Sequence, residues 1–141
     1  MVYIKDIMSK DVLALPKSIS ILETAKLMTK RKVSCVVVIS KDNIPIGIVT
    51  ERDITRKLVA KSKIYTKTTL NDLMTKPIKT ISDEVDFFKA SLIMKKNKIR
   101  RLPVVHNKKL IGIITQTDLL YSATKFIKKI SKELSETVNK F

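Results

Sequence analysis

The stretch Gly47-Ile48-Val49-Thr50-Glu51-Arg52-Asp53 decides how the chain is read, because it returns as Gly112-Ile113-Ile114-Thr115-Gln116-Thr117-Asp118. Both segments follow the pattern G-h-h-T-x-x-D, with h apolar, and they hold the only two glycines of the 141-residue chain. Working outward, Ile4 to Thr55 aligns with Leu70 to Leu120 at an offset of 66 residues, which becomes 65 after one gap at Pro45. Asp6-Ile7-Met8 faces Asp72-Leu73-Met74, and Met28 faces Met94. Each glycine therefore falls at the same place in an internal repeat, and the repeat is the unit of organisation.

Each copy carries the same order of patterns. A helical turn ends at Met8 or Met74, and an extended piece follows over Val12–Leu15 or Ile78–Ile81. An amphipathic helix comes next, with Ile21, Leu22, Ala25 and Met28 on one stripe in copy one and Phe87, Phe88, Ser91 and Met94 in copy two. Ser20 with Glu23 has the spacing of a capping box. The β-branched run Val36–Ile39, or Leu102–Val105, then pairs as a hairpin with Ile46–Val49, or Ile111–Ile114. A helix starts at Thr50 or Thr115. The expected fold class is mixed α/β: two β-α-β-β-α motifs packed with pseudo-twofold symmetry, plus a C-terminal helix. A copy of about 55 residues is too small to bury a good core alone, so the two should pack sheet to sheet.

The boundaries expected from this reading are 1–66 for the first motif with its linker, 67–122 for the second motif, and 123–141 for an amphipathic C-terminal helix. Ile127, Ile130, Leu134 and Phe141 recur along that tail at three-, four- and seven-residue steps with lysines between them. Such a stripe is expected to pack on its own domain, with subunit pairing as the alternative.

Composition removes most catalytic classes. Two glycines cannot build a Gly-rich phosphate loop or a dinucleotide fingerprint. One Cys and one His cannot form a Cys/His zinc site, and an intrachain disulfide is impossible. A His-dependent triad would rest on His106 alone. No enzyme activity, catalytic cofactor or metal site is expected. No apolar run approaches a membrane span of about 20 residues, and the N-terminus has no apolar signal region, so a cytoplasmic location without membrane contact is the expectation. The 29 Lys and Arg against 13 Asp and Glu give a net charge of +16. A surface of that sign attracts phosphates, or simply keeps a lysine-rich protein soluble.

The repeated T-x-x-D admits two readings that do not exclude one another. At a strand-to-helix junction it is a capping box that satisfies free amides. At the same place a helix N-terminus favours phosphate, a Thr hydroxyl can donate to it, and an Asp one turn on can accept from two ribose hydroxyls.

The repeat resembles the tandem CBS domain, a pair of which is called a Bateman module. The resemblance runs from Ile4 to about Tyr121 and rests on I-M-S and L-M-T, on V-S-C-V-V-V and I-R-R-L-P-V-V, and on both G-h-h-T-x-x-D segments. It implies a stand-alone regulatory module that binds an adenosine ligand, AMP, ADP, ATP or S-adenosylmethionine, in clefts between the motifs. Carried over, Asp53 and Asp118 would hold ribose, and Thr50 and Thr115 would sit by phosphate. Val12 and Ile78, Val33 and Ile99, and Ile48 and Ile113 would line adenine pockets. Arg100-Arg101 stands where copy one has Ser34-Cys35, and an Arg there would reach phosphate through its planar fork. The expectation is that this pair serves the copy-two site and that the copy-one site contacts phosphate less. Copy one also has Ala14 where copy two has Thr80, and Val37 where copy two has Pro103. Homodimers and an unidentified protein partner are further implications. The alternatives are a basic nucleic-acid-binding protein, set against a poverty of aromatics for base stacking, and a ligand-free regulatory subunit of an enzyme or transporter.

Overall fold

A computed structural model describes residues 1–141. Each copy opens with one helical turn, α1 (Ile4–Ile7) and later α4 (Leu70–Leu73). A short strand follows, β1 (Ala14–Pro16) or β4 (Ile81–Ser82), then a helix, α2 (Ile21–Arg31) or α5 (Phe87–Asn97). The hairpins are β2 (Cys35–Ile39) with β3 (Pro45–Thr50), and β5 (Arg101–His106) with β6 (Lys109–Thr115). Copy one closes with α3 (Glu51–Asp53), which runs into a π-helical stretch over Ile54–Val59. Copy two closes with the long helix α6 (Gln116–Val138).

Both copies fold their strands alike. The orders are β1-β2-β3 and β4-β5-β6, with the first pair of each sheet parallel and the second antiparallel. Val38 pairs with Gly47 and Val104 with Gly112, and each ladder has a bulge at the next residue. Asn107 and Lys108, both at positive φ, make the tight turn between β5 and β6. Ser20 Oγ caps α2 by accepting from the Glu23 amide at 3.1 Å, and Asp86 caps α5 by accepting from the Lys89 amide at 3.0 Å. Both helices stop at a left-handed lysine, Lys32 at φ 55° and Lys98 at φ 54°. Glycine is the usual residue there, but the two glycines of this chain lie in the strands.

The opening turns are exchanged between copies. Ile4 is fully buried among the copy-two residues Ile81, Ala90, Leu102, Val104 and Ile114. Leu70 and Leu73 are fully buried in the copy-one core with Ile21, Met28, Val36 and Val49. Backbone bonds fix the exchange: the Ile4 amide donates to Val85 O at 2.8 Å, and the Leu70 amide donates to Ile19 O at 2.9 Å. The glycines belong to this arrangement. A Cβ on Gly47 would lie 2.5 Å from Met74 Sδ, and one on Gly112 would lie 2.7 Å from the Ser9 carbonyl oxygen and 2.8 Å from Met8 Sδ. The methionine that ends each exchanged turn packs on the bare strand of the other copy. The sheets meet through Val37, Leu110 and Ile113, joined by half-buried Val12, Ala14, Cys35, Ile39 and Ile78.

Two packing expectations need correction. Phe88 is 67% exposed, because the face of α5 that meets the sheet is Phe87, Ala90, Ile93 and Met94, and Phe88 lies one step round the helix. The tail does not pack on its own domain. It continues α6 without a break, and from Thr124 to Phe141 every residue is exposed, since the helix outruns the core that Leu119 still touches. No helix is long and apolar enough to cross a membrane.

Candidate functional site

Two clefts open where the copies meet, and each is built from both. The Thr50 cleft, about 390 Å³, is lined by Ile48, Thr50 and Asp53 of copy one and by Thr75, Ile99, Arg100 and Arg101 of copy two. The Thr115 cleft, about 240 Å³, is lined by Ile113, Thr115 and Asp118 of copy two and by Val12, Val33, Ser34 and Cys35 of copy one. Ser34 and Arg101 line both clefts. Larger grooves of about 530 and 690 Å³ lie on the outer helix faces and contain neither Thr–Asp pair.

The shared geometry follows from local chain chemistry. Each left-handed lysine turns the chain sharply out of its helix, so Val33-Ser34 and Ile99-Arg100 arrive at the interface. The strand-to-helix junctions arrive from the opposite copy. The Glu51 amide donates to Ser34 O at 3.0 Å, and the Gln116 amide donates to Arg100 O at 2.8 Å, so each junction is also tied to its own copy.

The capping reading of T-x-x-D holds in full. Asp53 Oδ2 accepts from the Thr50 amide at 2.9 Å and from Thr50 Oγ1 at 3.2 Å, and Thr50 Oγ1 in turn accepts from the Asp53 amide at 3.2 Å. Asp118 Oδ2 accepts from the Thr115 amide and hydroxyl, both at 2.8 Å, and Thr115 Oγ1 accepts from the Asp118 amide at 3.2 Å. One carboxylate oxygen of each Asp thus rigidifies the junction. The other differs between copies: Asp53 Oδ1 meets Lys57 Nζ at 3.2 Å, whereas Asp118 has no ion pair. Lys57 Nζ also donates to Leu73 O at 3.0 Å and Thr75 Oγ1 at 3.1 Å, tying the Thr50 cleft to the exchanged turn.

Arg101 stands at the centre. Its guanidinium donates to Ser34 Oγ at 3.1 Å across the interface. Beside it, burial pushes the Cys35 thiol up, and the Arg101 charge and hydrogen bond partly oppose that. A thiol held neutral and half-buried in this way is a packing residue.

The structure brings Val12, Val33, Ser34, Ile48, Thr50, Asp53, Ile99, Arg100, Arg101, Ile113, Thr115 and Asp118 to the clefts. Ile78 and Thr80 lie in neither lining. Ile78 packs between the sheets, and Thr80 is exposed ahead of a strand only two residues long. One expectation is overturned. Arg100 lines the cleft of the copy-one pair Thr50 and Asp53, not the copy-two cleft, because the post-helix segment of each copy faces the junction of the other. Sequence reasoning also missed Lys57 and Thr75. The Asp53–Lys57 spacing of four on a helix was a usable signal, but the approach of Thr75 depends on the exchange.

Comparison with known proteins assigns the architecture. The CBS domain matches residues 4–60 and again 70–124. The chain belongs to the CBS-domain family. It is 31% identical over 136 residues to an uncharacterized protein of Methanopyrus kandleri, covering 96% of this chain and 69% of that one. It is also 30% identical over 118 residues to a homoserine O-acetyltransferase of Methanohalobium evestigatum, but there 83% of this chain matches only 23% of the relative. Among solved structures, the CBS domain pair of protein MJ0100, in complex with 5′-methylthioadenosine and S-adenosyl-L-methionine, superposes with a TM-score of 0.78 at 27% identity. That match covers 88% of this chain and 98% of the other. CBS pairs are regulatory ligand-binding modules, and the two CBS motifs here supply the paired clefts of such a module.

Proposed function

We propose that this CBS pair is a non-catalytic, cytoplasmic regulatory module that binds an adenosine compound, AMP, ADP, ATP or S-adenosylmethionine, in its interfacial clefts. The observation that carries this reading is the composition of each cleft: a rigid Thr–Asp junction from one copy opposite Ser34 or Arg100-Arg101 from the other. Asp53 and Asp118 hold the ribose, Thr50 and Thr115 sit by the 5′ substituent, which is phosphate where the ligand is a nucleotide, and Val12, Val33, Ile48, Ile99 and Ile113 bound the base. The relative in complex with two adenosine compounds supports the ligand class. Because a ligand would touch both copies, binding changes how they sit against each other, and a partner protein or the assembly of the module reads that change.

The module pairs with a second copy. Leu120, Ile127 and Leu134 repeat at seven-residue steps on α6, and all three are exposed. A heptad stripe of this kind is the surface that helices bury against each other.

Calorimetric titration of AMP, ADP, ATP and S-adenosylmethionine into the purified protein tests the reading. Binding of at least one, weakened tenfold or more by Asp118→Ala or Asp53→Ala, is expected. Failure of all four to bind overturns it. A thermal-shift screen serves as a first pass, since a ligand at 100 times its Kd adds about 2.7 kcal/mol of stability.

A further inference from the structure

The two clefts are not equivalent in charge or size. The Thr50 cleft is lined by four cations, Arg52, Lys98, Arg100 and Arg101, against the carboxylates Glu51 and Asp53. The Thr115 cleft is lined by two cations, Lys32 and Arg101, against the carboxylates Asp11 and Asp118. Each cleft also has one cation paired to a lining carboxylate from outside, Lys57 on Asp53 and Arg31 on Asp11, so the difference persists when these are counted. The Thr50 cleft is also the larger, about 390 Å³ against 240 Å³. Small-molecule sites usually begin at about 300 Å³, so the Thr115 cleft suits a compact ligand.

We infer that the clefts divide adenosine compounds by charge. The Thr50 cleft takes the phosphorylated nucleotide, and the Thr115 cleft takes an adenosine compound without phosphate. This inference rests on the adenosine reading and adds to it which cleft takes which charge class. Arg101 cannot make the distinction, because it borders both clefts and its guanidinium is shared through Ser34. Arg52, Lys98 and Arg100 border only the Thr50 cleft of the two. Of these, Arg100 is the specificity-determining residue. It lines the cleft on the copy-two side with Ile99, opposite Thr50 and Asp53, and a guanidinium engages phosphate oxygens two at a time. In the Thr115 cleft the equivalent position is Ser34, which offers a hydroxyl and no charge.

The test titrates the full chain separately with ATP and with adenosine, using wild type, Arg100→Ala, Asp53→Asn and Asp118→Asn. Arg100→Ala should weaken ATP about tenfold or more, the usual scale of a lost charge-assisted hydrogen bond, and should leave adenosine within about twofold. Asp53→Asn should weaken ATP and spare adenosine, while Asp118→Asn should do the reverse. Arg100 is exposed, and Asn at N3 of each capping box keeps an oxygen that accepts from the Thr50 or Thr115 amide, so the fold is kept. Wild type alone supplies a second readout. ATP affinity should fall steeply between about 50 and about 300 mM salt while adenosine affinity holds. ATP and adenosine competing for one site, ATP loss tracking Asp118, or equal salt dependence would overturn the division and leave the adenosine reading standing. Absence of binding by both ligands would overturn the division, and the adenosine reading falls with it only if AMP, ADP and S-adenosylmethionine also fail to bind.

Discussion

Copy one and copy two share a strand order, a bulge, a cap and a left-handed lysine, yet they end differently. In copy one the junction helix turns π-helical and stops at Val59. In copy two it continues as a regular helix of 23 residues with an exposed apolar stripe. The clefts diverge in parallel, one rich in cations and the other balanced. The repeat therefore keeps the backbone and lets the side chains differ in the clefts and along the last helix.

The exchange gives the largest expected effect. Ile4→Ala and Leu70→Ala should each cost about 2–5 kcal/mol, because both side chains are fully buried and neither site can collapse onto solvent. The sharper outcome is where the damage appears. Hydrogen exchange should show Ile4→Ala loosening copy two and Leu70→Ala loosening copy one. Damage confined to the mutated copy would contradict the exchanged packing.

The glycines break the symmetry next. Gly112→Ala should cost about 3 kcal/mol in urea unfolding, since its Cβ meets a backbone carbonyl that cannot move alone. Gly47→Ala should cost somewhat less, since a rotamer change can carry Met74 Sδ and Cγ away, and only Met74 Cβ, at 2.9 Å and fixed to its backbone, must be relieved by a backbone shift.

Removing residues 124–141 separates the copies by their endings. Sedimentation should show loss of the dimer, while the melting temperature of the remaining monomer at low concentration stays within a few degrees, because these residues touch no core. An unchanged sedimentation coefficient per mass would assign pairing to another face.

A pH comparison is smaller still. The Thr69 amide, bonded to Asp72, holds that carboxyl below its ordinary value, with the Thr69 hydroxyl and Lys63 adding to the effect against slight desolvation. A depressed folded-state value means that the stabilisation is present above the unfolded pKa of about 3.9 and disappears as pH falls through the folded value. Asp72→Asn should therefore be slightly less stable than wild type at pH 7, and the two should converge in acid, as read by unfolding at each pH.

Lys32→Gly is the smallest effect and of opposite sign. It relieves a left-handed backbone that costs a β-carbon residue about 1 kcal/mol, so stability should rise by at most that amount.

Much of this was legible in the chain itself. Periodicity located both amphipathic helices and both hairpins, because period and turn chemistry are local properties. The matched glycines marked the repeat, but their purpose was not readable, since it lies in the approach of Met74 and Met8 from the other copy. Thr50, Asp53, Thr115 and Asp118 were found as motif residues for the same local reason: a cap is written within four residues. Phe88 was misplaced because a stripe four residues wide leaves its edge undetermined, and only the angle at which α5 meets its sheet decides it.

The sequence by itself determined that there are two copies, what elements each contains, and which side chains carry polar chemistry. Those follow from short-range sterics and hydrogen bonding, which are repeated wherever the residues are repeated. Only the tertiary structure decided which copy completes which cleft. Arg100 lines the cleft of Asp53, and Ser34 reaches the cleft of Asp118, because neither small copy can bury its core alone. Their opening turns cross, and the interface so formed sets each junction opposite the other copy's post-helix segment.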